Sequence, residues 1–194
     1  MVLEELIQKY KITDEQIKKN ALKEDYGSMK CSAKELIGNT IFKENFKQLF
    51  PKAESVKKCS SKRKQLAGID FFVINDDYSD LNIDIKCCIG DDYDMKIDDY
   101  IHHEDFKEVK GVPVEISQNG DFTNTEDKET DYMVYIICDK DGINIYMFYY
   151  NDISLLLSNK EFWGPKYAIH TSFNGTGRYY KLPVSYAMKT IKVS

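Results

Sequence analysis

The sequence predicts an α/β chain of the α+β kind, in which N-terminal helices are followed by a mixed β-sheet core. Apolar residues recur at helical spacing as far as Phe50. Beyond Pro51 the pattern changes to short apolar runs separated by polar turns, which is typical of strands. The chain has 194 residues, of which 42% are hydrophobic, so one domain with a sizeable core is expected.

Two pairs of residues near the N-terminus have the spacing of a helix capping box. These are Thr13 with Gln16 and Ser32 with Glu35. The apolar stripe that follows Ser32 indicates a long helix, and Pro51 is expected to end it. The N-terminal part is therefore interpreted as helices.

The remainder of the chain is predicted to form strands, with one later helix over residues 151–159. The polar stretch 75–80 is suited to a hairpin turn between two of these strands. We expect a helical extension over 1–31, a core over 32–160, and C-terminal strands over 161–194 that pack on the core. The main strand runs are 54–61, 68–74, 81–88, 112–117, 131–139 and 142–150.

The net charge and the cysteine pattern argue against several classes of protein. The net charge of −5 argues against a protein that coats nucleic acid, although an enzyme with a local basic groove stays open. Five cysteines without a CxxC pair fit reduced thiols better than disulfides or a zinc site. The N-terminus lacks a basic start followed by an apolar block, and no apolar run is long enough for a bilayer. We therefore expect a cytoplasmic protein with no membrane partner.

Two of the best strand runs contain acids where apolar residues would be expected. Asp70 interrupts one run, and Asp84 interrupts the next, with Lys86 two residues further on. Residues two apart in a strand share a face, so Asp84 and Lys86 point together while Ile83 and Ile85 point to the other side. If the two runs pair as a hairpin, all three polar side chains converge on one site.

Two carboxylates at such a distance repel each other unless a cation lies between them. Mg²⁺ or Mn²⁺ suits this arrangement, because hard cations take carboxylate oxygens together with substrate phosphate. A lysine beside the pair can orient the attacking water or stabilise charge on phosphorus. This is the chemistry of phosphodiester hydrolysis by in-line attack of water.

The motif resembles that of the PD-(D/E)XK nuclease superfamily, including its phage and bacterial members. The segment Gln65 to Asp70, "QLAGID", is followed after thirteen residues by Asp84-Ile85-Lys86. The resemblance covers roughly residues 36–150. It departs from the motif at Ile69, which replaces a proline, and at Asp84, where glutamate is common.

The resemblance implies a restriction-endonuclease-like fold and a set of roles for the site residues. Asp70 and Asp84 would bind the metal, and Lys86 would serve catalysis. Glu44, on the helix before the sheet, would assist at the metal, and Glu115 would be a further acidic ligand. The implied activity is that of a Mg²⁺-dependent DNA endonuclease of restriction, resolvase or phage DNA-processing type. Relatives of this kind are often dimers, so a homodimer is one expectation.

A basic segment leads directly into the Asp70 strand. "KKCSSKRK" has five basic residues in eight positions, and such a cluster contacts phosphates in nucleic-acid-binding proteins. By the resemblance, Lys64 and Gln65 would lie near the scissile phosphate. The residues expected to bind DNA are Lys57, Lys58, Lys62, Arg63, Lys64 and Gln65.

Other interpretations remain open at this point. Asp84 and Lys86 would form a surface ion pair if the hairpin lay at a sheet edge, and Glu44 and Glu115 would then be solvated residues. The basic segment would similarly be a strand edge protected by lysines. On the same fold, the chain would alternatively be a non-catalytic acidic binding protein, such as an inhibitor or a DNA mimic, with the acids of 91–99 as its surface. A structural assembly module is a third option.

Overall fold

The computed structural model describes residues 2–24, 28–75, 80–90, 111–118, 121–122, 128–158, 169–171 and 177–193. The acidic stretch 91–99 lies outside these residues. The N-terminal part forms three helices, α1 (Leu3–Lys9), α2 (Asp14–Glu24) and α3 (Met29–Leu49). In the described part of the chain, no helix combines the length and apolar character that a bilayer crossing requires.

One of the two predicted capping boxes is confirmed. The Thr13 amide donates to Gln16 Oε1 at 2.8 Å, and the Gln16 amide donates to Thr13 Oγ1 at 3.2 Å. The second prediction is wrong, because α3 begins earlier, with Ser28 as its N-cap. Ser32 lies inside the helix, fully buried, and its hydroxyl donates to the carbonyl of Ile17 at 2.8 Å.

The strands form two sheets. The first has the order β1-β2-β3-β6-β7-β10, and the second has the order β5-β4-β9-β8. The elements after α3 are β1 (Ala53–Lys58), α4 (Lys62–Leu66), β2 (Phe71–Asn75), β3 (Leu81–Ile89), β4 (Gly111–Gln118), β5 (Asp121–Phe122), β6 (Tyr132–Asp139), β7 (Gly142–Tyr149), α5 (Tyr150–Ser158), β8 (Ile169–Thr171), β9 (Gly177–Pro183), a 3-10 helix (Val184–Tyr186) and β10 (Lys189–Val193).

The first sheet is mixed. Strands β3 and β6 pair in parallel, while the other neighbouring strands pair antiparallel. N-terminal helices followed by a mixed sheet confirm the predicted α+β fold class. The predicted hairpin between β2 and β3 is also present.

Strand β6 is buried on both faces, because an apolar layer covers each side of the first sheet. On one side Val134, Ile136 and Cys138 pack with α3. On the other side Tyr135 packs with residues of β4 and β9, including Val112 and Leu182. Leu6 of α1 and Ile191 of β10 belong to the same apolar cluster as α3.

Helix α3 lies close against β3 at Gly38. A Cβ placed on Gly38 would lie 2.8 Å from Cys87 Cβ and 3.8 Å from Ile85 Cγ2. Cys87 Cβ is fixed to the strand backbone, so it cannot move aside by rotation. Glycine at this position is what allows the helix to lie flat on the strand.

We therefore expect Gly38→Ala to destabilise the protein. Overpacking costs about 1–3 kcal/mol, which exceeds the gain of up to about 1 kcal/mol from the better helix former. Urea unfolding measures the difference. In a Cys87→Gly background the clash is removed, and the loss should shrink. An equal loss in both backgrounds would contradict the close approach.

Candidate functional site

Asp70 lies where β2 and β3 separate. The last paired residues are Phe71 and Ile83, and the Asp70 amide donates to the Ile83 carbonyl at 2.8 Å. The Asp70 carboxylate, through Oδ2, accepts the amide of Ile85 at 2.8 Å. A side-chain oxygen thus takes the place of the backbone carbonyl that would continue the ladder, which satisfies a buried donor.

Asp84 is the most buried acid of the described chain, with 1% of its surface exposed. Lys86 Nζ lies 2.6 Å from Asp84 Oδ1, and Lys128 Nζ lies 3.5 Å from Asp84 Oδ2. Ile83 and Ile85, on the opposite side of β3, pack in the cluster that contains α3. The alternation predicted for this strand is therefore present.

A short coil segment brings Lys128 to the site. Thr130 Oγ1 donates to the Gly68 carbonyl at 2.7 Å, and the Glu129 amide donates to the Ala67 carbonyl at 3.2 Å. These bonds fasten the segment beside the turn that precedes Asp70. Sequence reasoning missed Lys128, because its contact with Asp84 spans 44 positions of the chain.

The two aspartates influence each other's protonation. The pKa of Asp70 is raised to about 6, first by burial and then by the negative charge of Asp84. The charge of Lys86 and the hydrogen bond from the Ile85 amide oppose this rise. Ionisation of Asp70 is therefore unfavourable beside the charged Asp84.

The pKa of Asp84 moves in the other direction. Burial alone would raise it, but the charges and hydrogen bonds of Lys86 and Lys128 together lower it below its usual value. Asp84 is therefore ionised at neutral pH, and its charge is balanced within the protein. The pair combines one firmly ionised carboxylate with one that ionises near pH 6.

Helix α3 contributes a third acid, Glu35, whose charge also raises the pKa of Asp70. Its carboxylate is held on both oxygens. Lys58 Nζ lies 2.7 Å and Asn39 Nδ2 lies 3.1 Å from Oε1, while Asn20 Nδ2 lies 2.9 Å from Oε2. Glu35 is thus oriented by groups from α2, α3 and β1. The sequence showed this residue only as part of a capping box.

The structure does not bring Glu44 to the two aspartates. Glu44 follows Glu35 by nine residues, or about two and a half turns, so it projects from the opposite side of α3. Its side chain is exposed, and its charge, after burial, is the second cause that raises the pKa of Tyr10. Glu35 is instead the acid of α3 whose charge raises the pKa of Asp70.

Glu115 lies on β4, which belongs to the second sheet. Its backbone partner is Tyr179 of β9. Asp70 and Asp84 belong instead to the β2–β3 region of the first sheet. The structure therefore gives Glu115 no place on a strand that pairs with β2 or β3.

The strand predicted over residues 54–61, which contains the start of the basic segment, ends earlier in the structure. Strand β1 ends at Lys58, and the helix α4 follows, with Ser61 as its N-cap. Lys57 is exposed on β1, whereas Lys58 pairs with Glu35.

Helix α4 presents its basic residues to solvent and ends four residues before Asp70. Lys62, Arg63 and Lys64 are exposed. Lys64 Nζ also lies 4.9 Å from the centre of the Phe72 ring. Gln65 is half-buried, and its Nε2 donates to the Cys59 carbonyl at 3.2 Å. Helix α4 thus leads into the turn before Asp70 with its basic residues exposed.

The donor set suits a hard divalent cation. Asp70 and Asp84 supply carboxylate oxygens, and Mg²⁺ is typically held by one or two carboxylates with water and phosphate as further ligands. Within the described ranges, no group of three His, Cys, Asp or Glu residues is arranged to hold a metal ion. If Asp70 and Asp84 held such an ion, water and substrate would have to supply its remaining ligands.

Comparison of the chain with protein-family models, with curated proteins and with solved structures finds no match.

Proposed function

We propose that the protein is a Mg²⁺-dependent nuclease that hydrolyses DNA phosphodiester bonds, with Mn²⁺ as an alternative ion. The observation that carries the proposal is the arrangement of Asp70, Asp84 and Lys86 where β2 and β3 separate. A sheet supplies rigid placement for two acids and a lysine, and hydrolysis of phosphodiesters depends mainly on placement and electrostatics.

Each of these residues has a role in the proposed reaction. Asp70 and Asp84 would hold the ion, which supplies charge neutralisation and lowers the pKa of a water. Lys86 contacts Asp84, and 46% of its side chain is exposed to solvent, from which a substrate would approach. Its ammonium group orients the attacking water or donates to a phosphate oxygen. Glu35, fixed by its three partners, adds negative charge near Asp70.

Helix α4 is the proposed contact for the DNA backbone. Its exposed residues Lys62, Arg63 and Lys64 lie just before the turn that leads to Asp70. Contacts to phosphate position a nuclease on DNA without selecting a sequence. This placement favours DNA entering over α4 toward the β2–β3 site.

Replacing Lys62, Arg63 and Lys64 together by Ala should weaken DNA binding equally for all sequences. The slope of log K against log salt should fall in magnitude by up to about 3, at about 0.9 for each duplex phosphate that these side chains no longer neutralise. Fluorescence anisotropy at several salt concentrations measures both quantities. Lys140→Ala, an exposed lysine in the β6–β7 turn, is the matched control. An unchanged slope in the triple variant would place the DNA path elsewhere.

A second candidate function is a non-catalytic acidic binding protein on the same fold. The observation that favours it is the engagement of both Asp84 oxygens by lysines, which balances the charge without a metal. In such a protein the ion pairs would be structural. Partner binding would then be indifferent to chelators.

One experiment separates the two functions. Calorimetric titration of the purified protein with Mg²⁺ is combined with cleavage assays on plasmid and branched DNA, with and without EDTA. The nuclease should bind Mg²⁺ and lose cleavage in EDTA. If the protein binds no divalent ion and cuts neither substrate, the binding-protein function replaces the nuclease.

A further inference from the structure

The site contains a second lysine that the proposed chemistry does not require. Lys86 lies on Asp84 Oδ1 and Lys128 lies on Asp84 Oδ2, so one buried carboxylate contacts two ammonium groups. Lys128 is itself 17% exposed, so its charge is also largely withdrawn from water. A divalent cation that approached Asp84 would meet two positive charges already in contact with it.

The two lysines are held differently. Lys86 belongs to β3, where its backbone is paired with Tyr135 of β6, and its contact with Asp84 is short, at 2.6 Å. Lys128 belongs to a coil segment, and its contact is 3.5 Å, near the limit of a hydrogen bond. Lys128 therefore has the weaker hold on the carboxylate and gives it up more readily.

Gly68 makes the position of Lys128 possible. A Cβ on Gly68 would lie 3.1 Å from Lys128 Cδ and 2.8 Å from Thr130 Oγ1, and Gly68 has a φ of +82°. The aliphatic part of Lys128 thus lies against the bare backbone of the turn before Asp70. The hydrogen bonds of Glu129 and Thr130 hold the backbone beside this turn, so the Lys128 side chain is the part that would move if its ammonium group left Asp84.

We propose that Lys128 is a built-in counter-ion that occupies Asp84 Oδ2 until a divalent cation takes its place, and that it then contacts the substrate phosphate. This inference rests on the proposed nuclease function. Lys128 competes with the ion for one carboxylate oxygen, so the affinity for Mg²⁺ is lower than the two aspartates alone would give. Once released, its charge is available to an anion at the same site.

The test is Mg²⁺ titration by calorimetry at pH 8 in the absence of DNA. Lys128→Met keeps an apolar stem over Gly68 but removes the charge, and it should tighten Mg²⁺ binding about tenfold, within the usual range of coupling between two sites. Lys128→Arg should restore weaker binding. Lys140→Met is the control for loss of one positive charge elsewhere and should change the affinity little. With DNA present, Lys128→Met should raise KM.

The outcomes distinguish this inference from the proposed function. If wild type binds Mg²⁺ and folded Lys128→Met binds it with unchanged affinity, the counter-ion role is overturned and the nuclease stands. If only Lys128→Met binds Mg²⁺, Lys128 blocks the site in wild type and does not yield to the ion, so both the displacement of Lys128 and the Mg²⁺-dependent nuclease are overturned. If neither binds, both proposals fail. Thermal melts confirm folding, and Lys128→Gln, which is also uncharged, replaces Lys128→Met if that variant does not fold.

Discussion

Lys86→Ala is expected to reduce DNA cleavage about 10³-fold, the scale seen when one positioned donor to a developing charge is removed. The same variant should still bind Mg²⁺, because Asp70 and Asp84 remain in place. Its affinity for the ion should be unchanged or higher, since a positive charge 2.6 Å from Asp84 is gone. Some stability should be lost, because Lys86 offsets the burial of the Asp84 charge, but Lys128 still contacts Asp84, so the fold should persist.

Asp84→Asn is the matched variant for this prediction. Asparagine keeps the shape of the side chain but removes the charge, so both Mg²⁺ binding and cleavage should be lost. Stability should also fall, because the pKa of Asp84 is lowered in the fold and its ionised form is therefore the favoured one. The variant leaves Lys86 and Lys128 facing a neutral amide.

Both variants are compared with wild type by calorimetry, by cleavage of plasmid and branched DNA, and by thermal melts. If Lys86→Ala cleaves at the wild-type rate, the chemistry lies elsewhere. If Lys86→Ala loses the ion as completely as Asp84→Asn, Lys86 would be a structural partner of Asp84 rather than a catalytic residue.

The central part of this site was predictable from the sequence, because it depends on local periodicity. Alternation along β3 places Asp84 and Lys86 on one face and Ile83 on the other, and a short polar connection predicts the β2–β3 hairpin that brings Asp70 alongside. Each of these relations spans few residues. The fold class followed from the same change of period after α3.

The parts that sequence reasoning missed depend on long-range packing. Lys128 reaches Asp84 only because the segment before β6 is fastened to the turn at Gly68. Glu35 and Glu44 are both plausible acids of α3, and only the packing of the helix on the sheet selects the side that faces the aspartates. Strand β4 was recognisable, but its pairing with β9 in a second sheet was not.

The short helix α4 was also not predicted, and here the reason is local. "KRKQL" is too short to show a helical period, and its lysines also suit a strand edge. The available signal was Ser61, whose hydroxyl accepts the amide of Lys64 at 3.5 Å as an N-cap. The N-cap residue therefore indicates this helix in the sequence, whereas hydrophobic periodicity does not.

Asp70→Asn is expected to stabilise the metal-free protein at pH 8 by about 3 kcal/mol, at about 1.4 kcal/mol for each unit by which the pKa is raised. The pKa of Asp70 is about 6 in the fold and 3.8 in the reference state. The wild-type protein therefore loses stability as pH rises from about 4 to about 6, because the buried carboxylate gives up its proton there. Asparagine never ionises, and its carbonyl oxygen can still accept the Ile85 amide.

Urea unfolding in EDTA at pH 4 and at pH 8 measures this effect. The variant and wild type should have similar stability at pH 4, where Asp70 is largely protonated in the fold, and should diverge by pH 8. Asp80→Asn, an exposed aspartate before β3, is the control and should show no such divergence. Equal stabilities of wild type and Asp70→Asn at pH 8 would contradict a destabilising charge at this position.

Adding Mg²⁺ at pH 8 should reverse the ranking of these two proteins. Wild type gains stability as the ion binds the folded state, by about 4.1 kcal/mol at one thousand times the dissociation constant, which exceeds the advantage of about 3 kcal/mol that Asp70→Asn has without the ion. Asp70→Asn has lost one ligand and should gain much less. Repulsion between Asp70 and Asp84 would then lower the stability of the metal-free protein, and a cation bound between them would remove this repulsion. If Asp70→Asn gains as much from Mg²⁺ as wild type does, Asp70 is not a ligand of the ion.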